Sequence, residues 1–459
     1  MALTGFILVA FALRVYRLES PPLLWDEGWS IGLSRLPLGE IARITALDVH
    51  PPLYYVLLKV WRSLGPHEFV TRFLSVIAGV LTVPLGYHAG RVWRDRRVGL
   101  LTVLYITIAP PLVYYSQITR MFALCVMFLV LGTYGLLRIL GSPCDAVGQA
   151  RLPKSVRLRK SEWIPHLLFI LGAAGALYSF YYAGFVVGAL FIYALIAVPR
   201  RWKATLAGFG VVTVLCLPWV LYAAPAMLNR VGERTGFTFA FSQAAELAAG
   251  GFYGLVFPYG IGWPAVYAIL IVVLSGVMLG GRRLGRWASL PALAVGATLF
   301  GAALGAQAHM FAARYTIVAS PFLALALASA LELLITEEKN GKGKRKIGKK
   351  EHGICFPFFS FSLFPLSLFQ VIRRSWLFTT GLALILATTA PTITNYIYAK
   401  SYEIFDPFDP SADWRTLHDL ADADDIVFFN VLSLAGTYER YRMAGDPTWS
   451  YALRWDPVV

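Results

Sequence analysis

Residues 164–198 read IPHLLFILGAAGALYSFYYAGFVVGALFIYALIAV, thirty-five residues without one Asp, Glu, Lys or Arg, and Pro199-Arg200-Arg201-Trp202-Lys203 follows at once. Crossing a bilayer as a helix takes roughly 20 apolar residues, so a run of this length predicts two consecutive spans with a basic stop behind them. The same pattern repeats to either side. Spans are expected at about 2–18, 69–90, 99–113 and 121–140 before this pair, and at about 204–222, 263–280, 288–306, 315–335 and 376–396 after it, which makes about eleven.

Composition agrees. The 459 residues are 57% hydrophobic and only 15% charged, too little polar surface to solvate a globule of this size. The net charge of +15 resides in short connectors: Arg91, Arg94, Arg96 and Arg97; Arg151 to Lys160; Arg200 to Lys203; Arg282 to Arg286; and the run Lys339–Lys350. Spanning segments interrupt these clusters, so they read as cytoplasmic loops facing anionic headgroups, and nucleic acid is not an expected partner. With the N-terminus cytoplasmic, every strongly basic connector falls on one side. Residues 19–67, 114–120, 225–260, 307–314 and the C-terminal tail then share the outer face of a plasma membrane protein. The N-terminal run lacks a small-residue cleavage site and reads as a retained first span. Cys125, Cys144, Cys216 and Cys355 are far apart, with neither disulfide-frame nor zinc-ligand spacing.

The expected organisation is a transmembrane domain over 1–399 and a short α/β-like tail over 400–459. Within the first, 19–67 is an outer loop whose Leu53–Leu64 piece suits an interfacial helix, and 336–375 holds a basic cytoplasmic loop with a re-entrant segment near 354–371. A true span at 354–371 would instead move the C-terminus to the other side. The tail offers a helix-like stretch at 413–420 and a strand-like Ile426-Val427-Phe428-Phe429.

Several polar residues could carry chemistry. Asp26-Glu27, just after span 1, reads either as solvated acids at a helix N-terminus or as a general base or cation ligand at the membrane surface. Asp48-Val49-His50-Pro51-Pro52-Leu53-Tyr54-Tyr55 reads as a proline-started interfacial helix with an aromatic anchor. Alternatively, Asp48 and His50 join Asp26 around a cation. Arg72, Arg120 and Arg314 stand at outer span ends, where snorkelling is the ordinary explanation and an anion such as a lipid phosphate is the functional one. No Gly-rich phosphate loop is present, which argues against a nucleotide-driven pump.

The order Trp25-Asp26-Glu27-Gly28, His50-Pro51-Pro52-Leu53-Tyr54-Tyr55, Glu68-Phe69-Val70-Thr71-Arg72-Phe73, Tyr114-Tyr115-Ser116-Gln117 and Arg120-Met121 resembles the polyprenyl-phosphate-sugar-dependent glycosyltransferases of the GT-C fold. More narrowly, it looks like the branch containing protein O-mannosyltransferases and lipid A aminoarabinose transferases. Arg314-Tyr315 and Asp413-Trp414-Arg415 are similar to later family motifs. The likeness is dense over 14–135 and thin over 140–300.

The resemblance implies an all-α, GT-C-like multi-pass enzyme with a small extracytoplasmic C-terminal segment. It would move a hexosyl or pentosyl unit, with inversion, from a polyprenyl-phosphate carrier to a lipid, glycan or protein hydroxyl. It places Asp26, with Glu27, at the catalytic position. It makes Arg72, Arg120, Arg314 and Tyr315 candidates for the donor phosphate, and Asp48, His50, Tyr54 and Tyr55 candidates for assisting substrate or metal. No cofactor is certain; Mg²⁺ or Mn²⁺ would be the ion, held by Asp26, Asp48 and His50. Two departures stand out: the family's Ser-Gln-Glu-Ala-Arg is Ser116-Gln117-Ile118-Thr119-Arg120 here, and Phe180 stands where a His is common. A transporter or flippase of lipid-linked sugars is the alternative. It would call for buried mid-membrane charges or half-helices at matching places of two repeats, which the sequence does not display.

Overall fold

The computed structural model describes residues 2–21, 23–48, 50–141, 163–234, 289–307, 313–340, 426–429 and 448–451. Nearly all of these are helical. The first apolar run forms α1 (Ala2–Val15). The loop after it holds three short helices: α2 (Trp25–Arg35), α3 (Leu38–Ala46) and α4 (Leu53–Trp61). Next come α5 (Glu68–Trp93), α6 (Arg96–Ile108), α7 (Pro110–Tyr114) and α8 (Phe122–Leu140). The charge-free run becomes α9 (Trp163–Ser179) and α10 (Ala183–Ala197), followed by α11 (Trp202–Arg234), α12 (Ser289–Gln307) and α13 (Ser320–Asn340).

Among the described residues, four stretches are long and apolar enough to cross a membrane: α5, α8, Trp202–Leu228 of α11, and Arg314–Glu332 leading through α13. Helices α1, α9, α10 and α12 are apolar but shorter. The expected spans at 263–280 and 376–396 and the segment 354–371 lie outside the described residues, as does the helix-like 413–420. Ile426–Phe429 is a strand, paired in parallel with Thr448–Tyr451, so the described chain is not wholly α-helical.

Three departures from the expected elements have local causes. Residues 19–67 are mostly helical, because α3 and α4 are amphipathic and bury Ile41, Ile44, Tyr54, Tyr55 and Leu58. The tenth span opens as a 3₁₀ segment, Ala313–Ala319, before Pro321 sets the first turn of α13. The third span is broken at Ala109, where Pro110 and Pro111 supply no N–H for the carbonyls of Ile106 and Thr107.

That break determines the position of Arg14. Its Nη2 donates to the Ile106 carbonyl at 3.0 Å and its Nη1 to the Thr107 carbonyl at 3.2 Å, so one guanidinium replaces both missing N–H groups. Nε reaches Ser116 Oγ at 3.3 Å. Arg14 is therefore a buried cap on α6, neither a snorkelling residue nor part of an anion site. In hydrocarbon an unpaired carbonyl costs several kcal/mol, so the arginine offsets a defect that the prolines create. Gln117 does the same for α1, its amide donating to the carbonyls of Leu13 at 3.0 Å and Arg14 at 3.1 Å.

Helix α8 crosses α9 in direct backbone contact. A Cβ on Gly172 would lie 2.1 Å from the Gly132 nitrogen, so the two backbones touch without side chains between them. At the opposite end from the site, Arg94 and the buried Glu332 of α13 form an ion pair that ties the α5–α6 turn to the end of the bundle.

Candidate active site

The first turn of α2 presents two adjacent carboxylates to different surroundings. Glu27 turns inward and is fully buried. Its Oε2 accepts the Leu24 N–H at 3.1 Å, capping its own helix, and its Oε1 accepts the Thr119 N–H at 2.7 Å. Arg72 closes on both oxygens, Nε at 2.8 Å and Nη2 at 2.7 Å, while its Nη1 donates to the carbonyls of Leu18 and Pro21, each at 2.9 Å. Burial pushes the Glu27 carboxyl up, but the Arg72 charge and these hydrogen bonds outweigh it and hold it below its ordinary value. Both groups are engaged in joining α2, α5 and the Ser116–Arg120 turn.

Asp26 turns the other way and remains 28% exposed. Arg314 Nη1 meets its Oδ2 at 2.7 Å, and Arg120 Nη2 stands 4.0 Å from its Oδ1. Arg120 is itself fixed. Its Nη1 donates to the Asp26 carbonyl at 3.2 Å and to Ser30 Oγ at 3.3 Å, and its own carbonyl accepts from Ser75 Oγ at 3.2 Å. Arg314 is 38% exposed and lies 5.8 Å over the Tyr315 ring.

The His-Pro-Pro segment forms the adjoining wall. His50 Nδ1 faces Asp48 Oδ2 at 3.2 Å, which orients the ring and places the proton on that nitrogen when the imidazole is neutral. The ring stacks on Phe180 at 5.9 Å and meets the edge of Tyr315 at 6.1 Å. Burial lowers the His50 pKa more than Asp48 raises it, which favours that neutral form. The Tyr54 hydroxyl is engaged with Ser75 Oγ at 3.2 Å. His50 Nε2, the Tyr55 hydroxyl, Arg120 Nε and Arg314 Nε are buried and lack a hydrogen-bond partner among the described residues. Such groups are costly to leave unmet, and these four are polar atoms that a ligand could satisfy.

Of the residues singled out in the sequence, Asp26, Arg120, Arg314, Tyr315, Asp48, His50 and Tyr55 therefore gather at one end of the bundle. Glu27, Arg72 and Tyr54 lie behind them in the packing. Sequence reading missed Ser30, one turn after Asp26, and the hydrogen bond from the Thr119 main chain. It noted Phe180 without foreseeing that the ring would lie against His50. As a cation site the cluster fits poorly. Asp26 is taken by Arg314, His50 Nδ1 by Asp48, and no three His, Cys, Asp or Glu side chains converge among the described residues.

Comparison with known proteins bears on the architecture. Residues 49–144 match the family model described as dolichyl-phosphate-mannose-protein mannosyltransferase. ArnT from Cupriavidus metallidurans bound to undecaprenyl phosphate superposes with a TM-score of 0.56 at 14% identity, over 99% of this chain and 86% of that one. The chain has the GT-C fold. Archaeal oligosaccharyltransferase AglB from Archaeoglobus fulgidus, in complex with an inhibitory peptide and a dolichol-phosphate, gives a TM-score of 0.52 at 13% identity. The match covers 91% of this chain and 57% of that one. The same organism's oligosaccharyltransferase in complex with Zn and sulfate gives 0.53 at 13% identity, over 91% and 55%. No curated protein sequence matches the chain.

Proposed function

We propose that this chain is a membrane glycosyltransferase that moves a sugar from a polyprenyl-phosphate carrier to an acceptor hydroxyl at the extracytoplasmic end of its helix bundle. The observation that carries the reading is the half-exposed Asp26 carboxylate with Arg120 and Arg314 on either side. A base and phosphate-binding cations are what such a transfer needs in one place. The mannosyltransferase model over 49–144 and the carriers bound by ArnT and AglB support the same chemistry.

Asp26 takes the proton of the acceptor hydroxyl. The oxygen attacks the anomeric carbon from the side opposite the phosphate, which gives inversion. The carrier phosphate leaves with the bonding electrons, and the guanidinium groups of Arg120 and Arg314 stabilise the charge it gains. Tyr315 positions Arg314 by stacking. His50 Nε2 and the Tyr55 hydroxyl remain for the hydroxyls of the sugar or the acceptor, a hexosyl or pentosyl unit being the size the resemblance implies. Glu27 and Arg72 hold α2 in place and touch neither substrate. A polyprenyl tail requires a lipid phase, which is the physical reason to build such an enzyme from membrane helices.

The test is product analysis with purified protein in lipid nanodiscs and a panel of polyprenyl-phosphate sugars. Release of free polyprenyl phosphate coupled to one glycosylated product of opposite anomeric configuration is expected. A retained configuration would overturn the single-displacement scheme.

A further inference from the structure

The cation that would bind the donor phosphate is paired with the base itself. Asp26 Oδ2 is occupied by Arg314 Nη1 at 2.7 Å. Arg120 cannot be the group that yields, because Ser30 and the Asp26 carbonyl anchor it and it is 2% exposed. Arg314 can. Its side chain is 38% exposed, it begins the apolar stretch that enters α13, and its Nε has no partner among the described residues. The charges near Asp26 are its own, that of Asp48, and those of Arg120 and Arg314, with Glu27 neutralised by Arg72. An arriving phosphate therefore finds its accessible counter-charge already committed to Asp26.

We propose that the donor phosphate displaces Asp26 from Arg314, so that carrier binding and release of the Oδ2 oxygen of the base are one event. This rests on the glycosyltransferase reading above. The donor is a phosphodiester with one negative charge. Once Arg314 has turned to it, the freed Oδ2 lone pair accepts the acceptor proton. The acceptor oxygen then bonds to the anomeric carbon, and the bond from that carbon to the phosphate oxygen breaks toward phosphate. The product carrier has two negative charges and holds Arg314 more strongly than the donor did, so the base stays exposed until the carrier leaves. In the absence of carrier, Arg314 holds Oδ2, and an acceptor meets a carboxylate with one oxygen engaged in an ion pair.

The test is equilibrium binding of undecaprenyl phosphate to nanodisc-embedded wild type, Asp26→Asn, Arg314→Gln and the double variant. Thermal unfolding establishes that each is folded, and Arg314→Lys is a second, charge-retaining variant. Asp26→Asn should bind about two- to fivefold more tightly than wild type, the worth of a half-exposed ion pair. Arg314→Gln should bind more weakly, Arg314→Lys should fall between it and wild type, and the gain from Asp26→Asn should vanish in the Arg314→Gln background. An equal gain in both backgrounds would mean a general field effect and overturn the latch, as would no gain from Asp26→Asn while Arg314→Gln weakens binding. Unchanged binding in Arg314→Gln would remove Arg314 from the phosphate site altogether, and with it that part of the function proposed above.

Discussion

The Glu27 carboxylate and the Arg72 guanidinium meet at two points, 2.8 and 2.7 Å, across forty-five residues of sequence, with the side chains 0% and 1% exposed. Asp26, the next residue, lies in a half-exposed pair. The stability of this end of the molecule and its chemistry thus reside on neighbouring carboxylates that face opposite ways.

Breaking the buried pair should cost stability before it costs chemistry. Glu27→Gln leaves Arg72 uncompensated, a change worth about 3–5 kcal/mol in a buried site. Thermal unfolding in detergent should show a large drop. The Glu27 carboxyl is held below its ordinary value in the folded protein, so its contribution is full above the unfolded pKa of about 4.3 and is lost as pH falls through the lower folded value. Wild type should show that acid limb and Glu27→Gln should lack it. A variant as stable as wild type with an unchanged acid limb would contradict the assignment.

Much of the architecture was legible because apolar runs set helix positions one by one. Residues 164–198 had to be helical twice over, and the span ends near Trp93 and Leu140 follow from Arg94 and Gly141. The roles of the polar residues were less legible, because they depend on partners distant in sequence. Nothing local distinguishes Arg72 from Arg120; what separates them is that Glu27 waits for one and Asp26 stands at the edge of the other. The role of Arg14 is hidden from the local sequence for the same reason. Its partners, the Ile106 and Thr107 carbonyls, become available only because two prolines follow them.

Arg14→Met tests that cap. Loss of the guanidinium leaves two carbonyls unpaired within the bundle, which should destabilise the protein by several kcal/mol. A combined replacement of Arg14 by Met and of Pro110 and Pro111 by Ala should recover part of the loss, since the alanines restore the N–H groups. Thermal unfolding of the single and combined variants provides the check, and no recovery would argue against the cap.

Gly172→Ala places a methyl where the Gly132 backbone already lies. Overpacking of this kind costs about 1–3 kcal/mol. The α8–α9 crossing should loosen, visible as a lower unfolding temperature, whereas Gly188→Ala on α10, where a Cβ would meet nothing within 4 Å, should leave it unchanged.

Tyr55→Phe separates a ligand-facing hydroxyl from a structural one. The hydroxyl is buried and unmet among the described residues, so its removal should not lower the unfolding temperature. If it meets sugar or acceptor, kcat/KM for transfer should fall by about two- to twelvefold, the worth of one hydrogen bond. A clear loss of stability with unchanged kcat/KM would assign it to the packing instead.

The most direct measurement is transfer of radiolabelled sugar from polyprenyl-phosphate donors in membranes containing wild type or Asp26→Asn. Label should leave the donor for an acceptor with wild type, and the rate with Asp26→Asn should fall by about 10²–10⁴, the usual cost of an essential base, while the variant remains folded. Transfer by Asp26→Asn at the wild-type rate would contradict the account at its centre.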